Sequence, residues 1–234
     1  MSEPQEPAGH DIGDQEPPGP PAGPPADRLA DRLEARPTEP ASLLLRVLRE
    51  LGDVDRAVYR AVAATPTPTI DAPLRRFTAA ADHSKLWFGA AAVLFVAGGR
   101  KGRRAALTGV ASIVATSAVV NLPLKLAGAR QRPDADVAGV PESRRVAMPT
   151  SASFPSGHSA SAAAFSAGVS SVVPALGAPL GCAAAAVGYS RVHSGVHYPG
   201  DVVAGVVVGA AIGEMVAWAG EHLAERRRRS RVER

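Results

Sequence analysis

Cysteine is almost missing from these 234 residues: only Cys182 occurs, inside an Ala-rich apolar run. That excludes an internal disulfide and argues against a Cys-built metal site, so Cys182 reads as a small packing residue. No Asp/Glu/His cluster resembles a dedicated metal site either, and neither a metal nor another cofactor is expected. Large apolar side chains are nearly absent from residues 1–40, which are rich in Pro, Gly, Glu and Asp. Such a stretch buries too little surface to offset its chain entropy, and a disordered tail is expected there. A basic start followed by an apolar core is lacking too, so no secretory signal is expected.

What is present is strongly divided. The mean hydropathy of +0.02 averages a polar N-terminus with a very apolar remainder, and the net charge of +4 hides two basic clusters. Arg100, Lys101, Arg103 and Arg104 form one, and Arg226 to Arg229 with Arg231 and Arg234 form the other. Basic clusters can bind nucleic acid. These two abut apolar runs, which favours flanking charge on a membrane protein, with membrane lipids and no nucleic acid as partners.

From Ala41 to Ala64, Leu44, Leu48, Leu51, Val54, Val58 and Val62 recur at three- and four-residue steps. Arg46, Arg49, Glu50, Asp53, Asp55 and Arg60 fill the opposite face, giving an amphipathic helix too charged to span a bilayer. Thr65-Pro-Thr-Pro-Thr69 ends it, and a second short amphipathic stretch covers Ala72–Ala81. Apolar runs follow at Ser84–Gly98, Ala105–Leu124, His158–Leu176, Ala178–Tyr189 and Val202–Ala219. A bilayer core of about 30 Å needs about 20 helical residues, so some of these are short. Their Ala, Gly and Ser content suits close helix contact in lipid. The expected fold is all-α: a membrane bundle of five or six transmembrane helices with an amphipathic N-terminal helix, against a soluble helical core as the plainer alternative. The expected organisation is a tail (1–40), an amphipathic segment (41–83), a transmembrane domain (84–221) and a basic cytoplasmic tail (222–234). With both basic clusters cytoplasmic, Lys125–Gly157 and Arg191–Gly200 fall on the extracytoplasmic side of the cytoplasmic membrane.

Charged residues gather near the ends of those runs. In hydrocarbon an Arg or Lys costs roughly 2.5–3.5 kcal/mol on insertion scales, so such residues usually face a site. Lys125 and Arg132 are about two helical turns apart, and Pro133 limits the helix. Taken alone, that pair is better explained by ordinary snorkelling at the interface. In Phe154-Pro-Ser-Gly-His158 a loop becomes a helix, whose first N–H groups favour a phosphate, with Gly157 allowing close approach. The plainer reading makes Ser156 an N-cap and His158 an interfacial residue. Ser190-Arg191 is followed by His197 and Asp201, and Pro199 suits the first turn of the last run. A carboxylate on one ring nitrogen leaves the other free as a nucleophile, although Asp201 alone also serves a helix dipole. His193 lacks a partner at the matching offset.

Three cations point to a phosphate, and two histidines with a carboxylate point to its attack. Taken together, Lys125, six residues, Arg132-Pro133; Pro155-Ser-Gly-His158; and Ser190-Arg191, five residues, His197, three residues, Asp201 resemble the three-part motif of the type 2 phosphatidic acid phosphatase superfamily. That superfamily also includes bacterial acid phosphatases and vanadium haloperoxidases, and the resemblance covers about Lys85 to Ala219. It implies that Lys125, Arg132, Ser156, Gly157 and Arg191 bind phosphate and that His197 attacks phosphorus. It implies further that Asp201 orients His197, and that His158 protonates the leaving oxygen and then helps water hydrolyse the phosphohistidine. Integral members usually have six spans, one more than the runs counted here. The implied activity is metal-independent hydrolysis of a lipid phosphate, phosphatidate-like or polyprenyl. A vanadate-dependent haloperoxidase, a lipid phosphotransferase and a non-catalytic lipid-binding protein are the alternatives. Oligomeric state has no signature in the sequence.

Overall fold

Small residues at four-residue steps decide where these helices touch. In the computed structural model, residues 40–120, 124 and 130–232 are described. The tail expected for residues 1–40, Pro40 apart, and the phosphate ligand expected at Lys125 lie outside them. Seven α-helices form among the described residues, and no strand. They are α1 (Pro40–Ala64), α2 (Pro68–Ala80), α3 (Lys85–Ala97), α4 (Gly99–Val119), α5 (Gly157–Val172), α6 (Gly177–His193) and α7 (Pro199–Val232). Short 3-10 turns stand at Asp82–Ser84, Glu142–Arg144 and Pro174–Leu176. The described helices from Arg49 onward form one compact unit.

The closest helix contact in the bundle is α5 on α7. Gly205, Gly209 and Gly213 recur every fourth residue, so they share one face of α7. A Cβ on each would stand 2.5, 2.0 and 2.5 Å from the carbonyl oxygens of Ser156, Ala160 and Ala164. Only hydrogen fits there, and the two backbones meet directly. Gly109 of α4 takes the edge of Phe165 in the same way. Around that ring Trp87, Ile113, Val169 and Val187 complete the core, with the Trp87 and Phe165 ring centres 5.4 Å apart. Bulky apolar side chains otherwise face outward: Val93, Val96, Leu107, Val114, Val203, Val207, Met215 and Trp218 are exposed.

Two boundaries differ from the sequence reading. Residues Gly99–Arg104, expected as a loop, form the first turns of α4, and the corner from α3 is only Gly98–Gly99. Gly99 adopts φ +59°, and a Cβ on Gly98 would stand 2.6 Å from the Leu94 carbonyl oxygen, so the reversal needs both glycines. The basic segment after residue 221 continues α7 instead of leaving it as a separate tail. Of the helices on the five apolar runs, α7 alone among the described residues is long and apolar enough to cross a membrane by itself.

Arg104 reaches Glu221 at 3.1 Å, which places both basic clusters at one end of the bundle. At the other end the α1–α2 junction is pinned by a buried ion pair. Arg144 Nε donates to Asp71 Oδ1 at 3.0 Å, and its Nη groups donate to the carbonyls of Val62, Ala63 and Thr65. With every donor directed at an acceptor, the pair meets the condition under which a buried charge is tolerated.

Candidate active site

The site lies where the α6–α7 loop meets the start of α5. Arg191 ends α6 with its carbonyl accepting from Val196 N and His197 N, and Gly195 makes the turn at φ +79°. Asp201 sits in the first turn of α7 and accepts from Tyr198 N at 2.9 Å, while its carbonyl accepts from Ser156 N at 2.9 Å. Loop, α5 start and α7 start are thus tied into one rigid corner.

Within it His197 is 2 % exposed. Its Nδ1 stands 3.5 Å from Asp201 Oδ2 and 3.4 Å from Ser153 Oγ. Ser153 Oγ donates to that same Asp201 oxygen at 2.5 Å, and Arg130 Nη1 donates to the other at 3.0 Å. Arg130 in turn binds Asp55 of α1 at 2.6 Å and lies over the Tyr198 ring. The opposite ring nitrogen, Nε2, is 3.1 Å from Arg132 Nη1. Arg132 is itself held by the carbonyls of Ser151, Ala152 and Val196. With a carboxylate behind Nδ1 and a guanidinium before Nε2, the proton belongs on Nδ1 and the lone pair on Nε2. Burial drives the His197 pKa down to about 4, since the Asp201 hydrogen bond only partly opposes it and the Arg132 and Arg191 charges reinforce it. At neutral pH the ring is therefore uncharged.

Across a cavity of about 590 Å³ stand His158 and Arg191. His158 Nε2 lies 2.8 Å from Asp82 Oδ1, and Arg191 Nη1 lies 3.8 Å from the same oxygen while donating to Thr78 Oγ1 at 3.0 Å. Arg191 is 2 % exposed, and its Nε has no hydrogen-bond partner among the described residues. A fixed guanidinium at a cavity wall is suited to an anion. The rest of the wall mixes serines, among them Ser84, Ser117 and Ser161, with apolar side chains, of which Phe88, Ile113 and Val114 carry the cavity towards the outer face of α3 and α4.

Of the residues singled out from the sequence, Arg132, Gly157, His158, Arg191 and His197 line this one cavity, and Asp201 backs His197. Ser156 does not line it. Its hydroxyl caps α5, accepting from Ser159 Oγ at 2.9 Å, so the N-cap reading describes its side chain. His193, passed over for want of a partner four residues on, has one from far away: its Nε2 lies 3.2 Å from Asp71 Oδ1. Ser153, Arg130, Asp55 and Asp82 were missed. Arg130 and Ser153 sit within three residues of motif positions, but nothing in their spacing marks Asp55 or Asp82, which only the fold carries to the site.

No curated protein sequence matches the chain. The crystal structure of Aquifex aeolicus LpxE has a TM-score of 0.55 and 23% identity, covering 70% of this chain and 94% of that one. The first transmembrane PAP2 type phosphatidylglycerolphosphate phosphatase from Bacillus subtilis gives 0.55 and 23%, covering 78% of this chain and 96% of its own. Both resemblances bear on the fold. A profile of the PAP2 superfamily matches residues 105–223, more than half of the sequence, with the cavity's Arg132, His158, Arg191 and His197 inside the match. On that match, this chain belongs to the PAP2 superfamily.

Proposed function

We propose that this protein is a membrane phosphatase that removes phosphate from a lipid monoester or diphosphate through a phosphohistidine on His197. The observation that carries the reading is the disposition of that ring, with Nδ1 backed by Asp201 and Nε2 turned to the cavity beside Arg132. The Nε2 lone pair attacks phosphorus as the bond to the leaving oxygen breaks, and His158 supplies that oxygen with a proton. Water then attacks phosphorus, His158 takes its proton, the P–N bond breaks, and orthophosphate leaves. Arg132 and Arg191 neutralise the phosphoryl oxygens, joined by Lys125 and by the N–H groups at the start of α5. Ser156 serves by holding that helix start in place.

A lipid substrate fits the wall made by Phe88, Ile113 and Val114, which leads an acyl or prenyl chain from the polar pocket to the outer surface. The outward apolar side chains and the small inward ones suit a bundle in a bilayer. From Asp201 to Glu221 α7 rises about 30 Å, roughly the thickness of the hydrocarbon core. Five or six spans then result from the shorter helices packing around α7. The basic ends of α4 and α7 lie together at the far end from the cavity, which supports an extracytoplasmic site and a cytoplasmic C-terminus.

The test is orthophosphate release from phosphatidate-like lipids, polyprenyl phosphates and diphosphates, and prenyl-linked phosphosugars in detergent micelles. Release is expected to persist in excess chelator, because the cations do the work of a metal. A strict divalent-ion requirement sinks the mechanism.

The His197 environment also sets a pH dependence. As its pKa is about 4, the nucleophile stays unprotonated well below the usual histidine range. The acid limb of kcat/KM is expected between about pH 4 and 5, falling about tenfold per unit below it. A limb near the ordinary histidine value of about 6.5 would mean that the ring is solvated and the burial argument wrong.

A further inference from the structure

The reaction above has no use for Asp82, yet its carboxylate faces both His158 and Arg191. Oδ1 is 2.8 Å from His158 Nε2 and 3.8 Å from Arg191 Nη1, and those groups are assigned to the leaving oxygen and the phosphoryl oxygens. A phosphate and this carboxylate make the same demand on the same donors, and two anions at that separation repel. We infer, resting on the phosphatase reading, that Asp82 is an internal competitor for phosphate, displaced when substrate binds and driving orthophosphate out when it returns.

Further observations support displacement over a fixed strut. At 3.8 Å the contact with Arg191 exceeds hydrogen-bond length, so the carboxylate only partly satisfies that guanidinium. A phosphoryl group, larger and richer in oxygens, offers this guanidinium at the cavity wall more acceptors than one carboxylate does. Arg191 itself is immobile, buried and tied to Thr78, whereas the Asp82 side chain is 44% exposed, so the carboxylate is the partner with room to swing. Finally, the turn Asp82–Ser84 carries His83 at φ +53° and Ser84 at φ +60°, left-handed values that non-glycine residues rarely adopt, and all three residues line the cavity. Asp82 is thus presented from a strained corner between α2 and α3, not from within a packed helix.

Inhibition by orthophosphate and by vanadate, against whichever lipid phosphate of the panel turns over fastest, tests this. In Asp82→Asn both inhibition constants should fall about tenfold, the scale of one like charge removed from a half-exposed position. KM should fall with them, and product inhibition should appear earlier in progress curves. Asp82→Glu, which still reaches the same donors, should stay within about twofold of the unaltered protein. Should Asp82→Asn not yield folded protein, orthophosphate binding by calorimetry to His197→Ala, with and without Asp82→Ser, reads the same competition without turnover. Inhibition constants unchanged or raised in Asp82→Asn overturn the inference and make Asp82 a support for His158. Failure of the phosphatase reading looks different: no orthophosphate release from any lipid, or full release by His197→Ala, whatever stands at residue 82.

Discussion

His197→Ala should abolish orthophosphate release, by about three orders of magnitude or more, while the protein remains folded. Removing a nucleophile costs about as much as removing the whole catalytic set, since the other groups act only through it. The fold should survive because Asp201, the carboxylate behind His197, keeps three other partners. Ser153 Oγ, Tyr198 N and Arg130 Nη1 all still donate to it, so no buried carboxylate is orphaned. The loop is held by backbone bonds from Val196 and His197 to Arg191, which alanine retains. The measurement pairs orthophosphate release with thermal unfolding in detergent. It includes acid-quenched trapping with radiolabelled substrate, where the unaltered protein should carry an acid-labile label and the variant none. Normal hydrolysis by the variant would remove the phosphohistidine route altogether.

The second large effect is on assembly. Gly209→Val should prevent α5 and α7 from packing, because its Cβ would stand 2.0 Å from the Ala160 carbonyl oxygen and 2.7 Å from its carbon. Overpacking usually costs about 1–3 kcal/mol where side chains can shift, but here the obstacle is helix backbone. The loss is therefore a sizeable part of a total stability of about 5–15 kcal/mol. Because His158 lies in the first turn of α5 and Asp201 in the first turn of α7, separating the two helices also dismantles the site. Size-exclusion behaviour and melting temperature in detergent should both deteriorate for Gly209→Val. Gly220→Ala is the control, on the same helix with open space around it, and should be neutral or slightly stabilising. A Gly209→Val protein melting at the unaltered temperature would mean that the helices do not approach as described.

Much of the site is legible in the chain because its chemistry sits at short, regular offsets. His197 and Asp201 stand four positions apart across the start of a helix, and the structure brings Nδ1 of one to 3.5 Å from the carboxylate of the other. The Ser156-Gly157-His158 step at a loop-to-helix boundary likewise marks the start of α5. Spacing decides less where one residue type has two uses. The Ser156 hydroxyl caps α5, one of the two readings its position allows, and His193 lacks a sequence neighbour but is held by Asp71 across the bundle. The apolar runs located the helices. Their ends went astray at Gly99–Arg104, where a two-glycine corner replaces an expected loop.

By itself, then, the sequence determined that the chain is helical, and it singled out an acid-backed histidine, a second histidine and arginines that line or back one cavity. Helix-start and i-to-i+4 geometry are local, and local geometry can be read from spacing. Only the tertiary structure decided that Asp82 faces His158 and Arg191, that Asp55 and Arg130 stand behind Asp201, and that three glycines bring α7 onto α5. Those contacts join residues tens of positions apart, and their partners are chosen by how the helices pack, which no periodicity along the chain records.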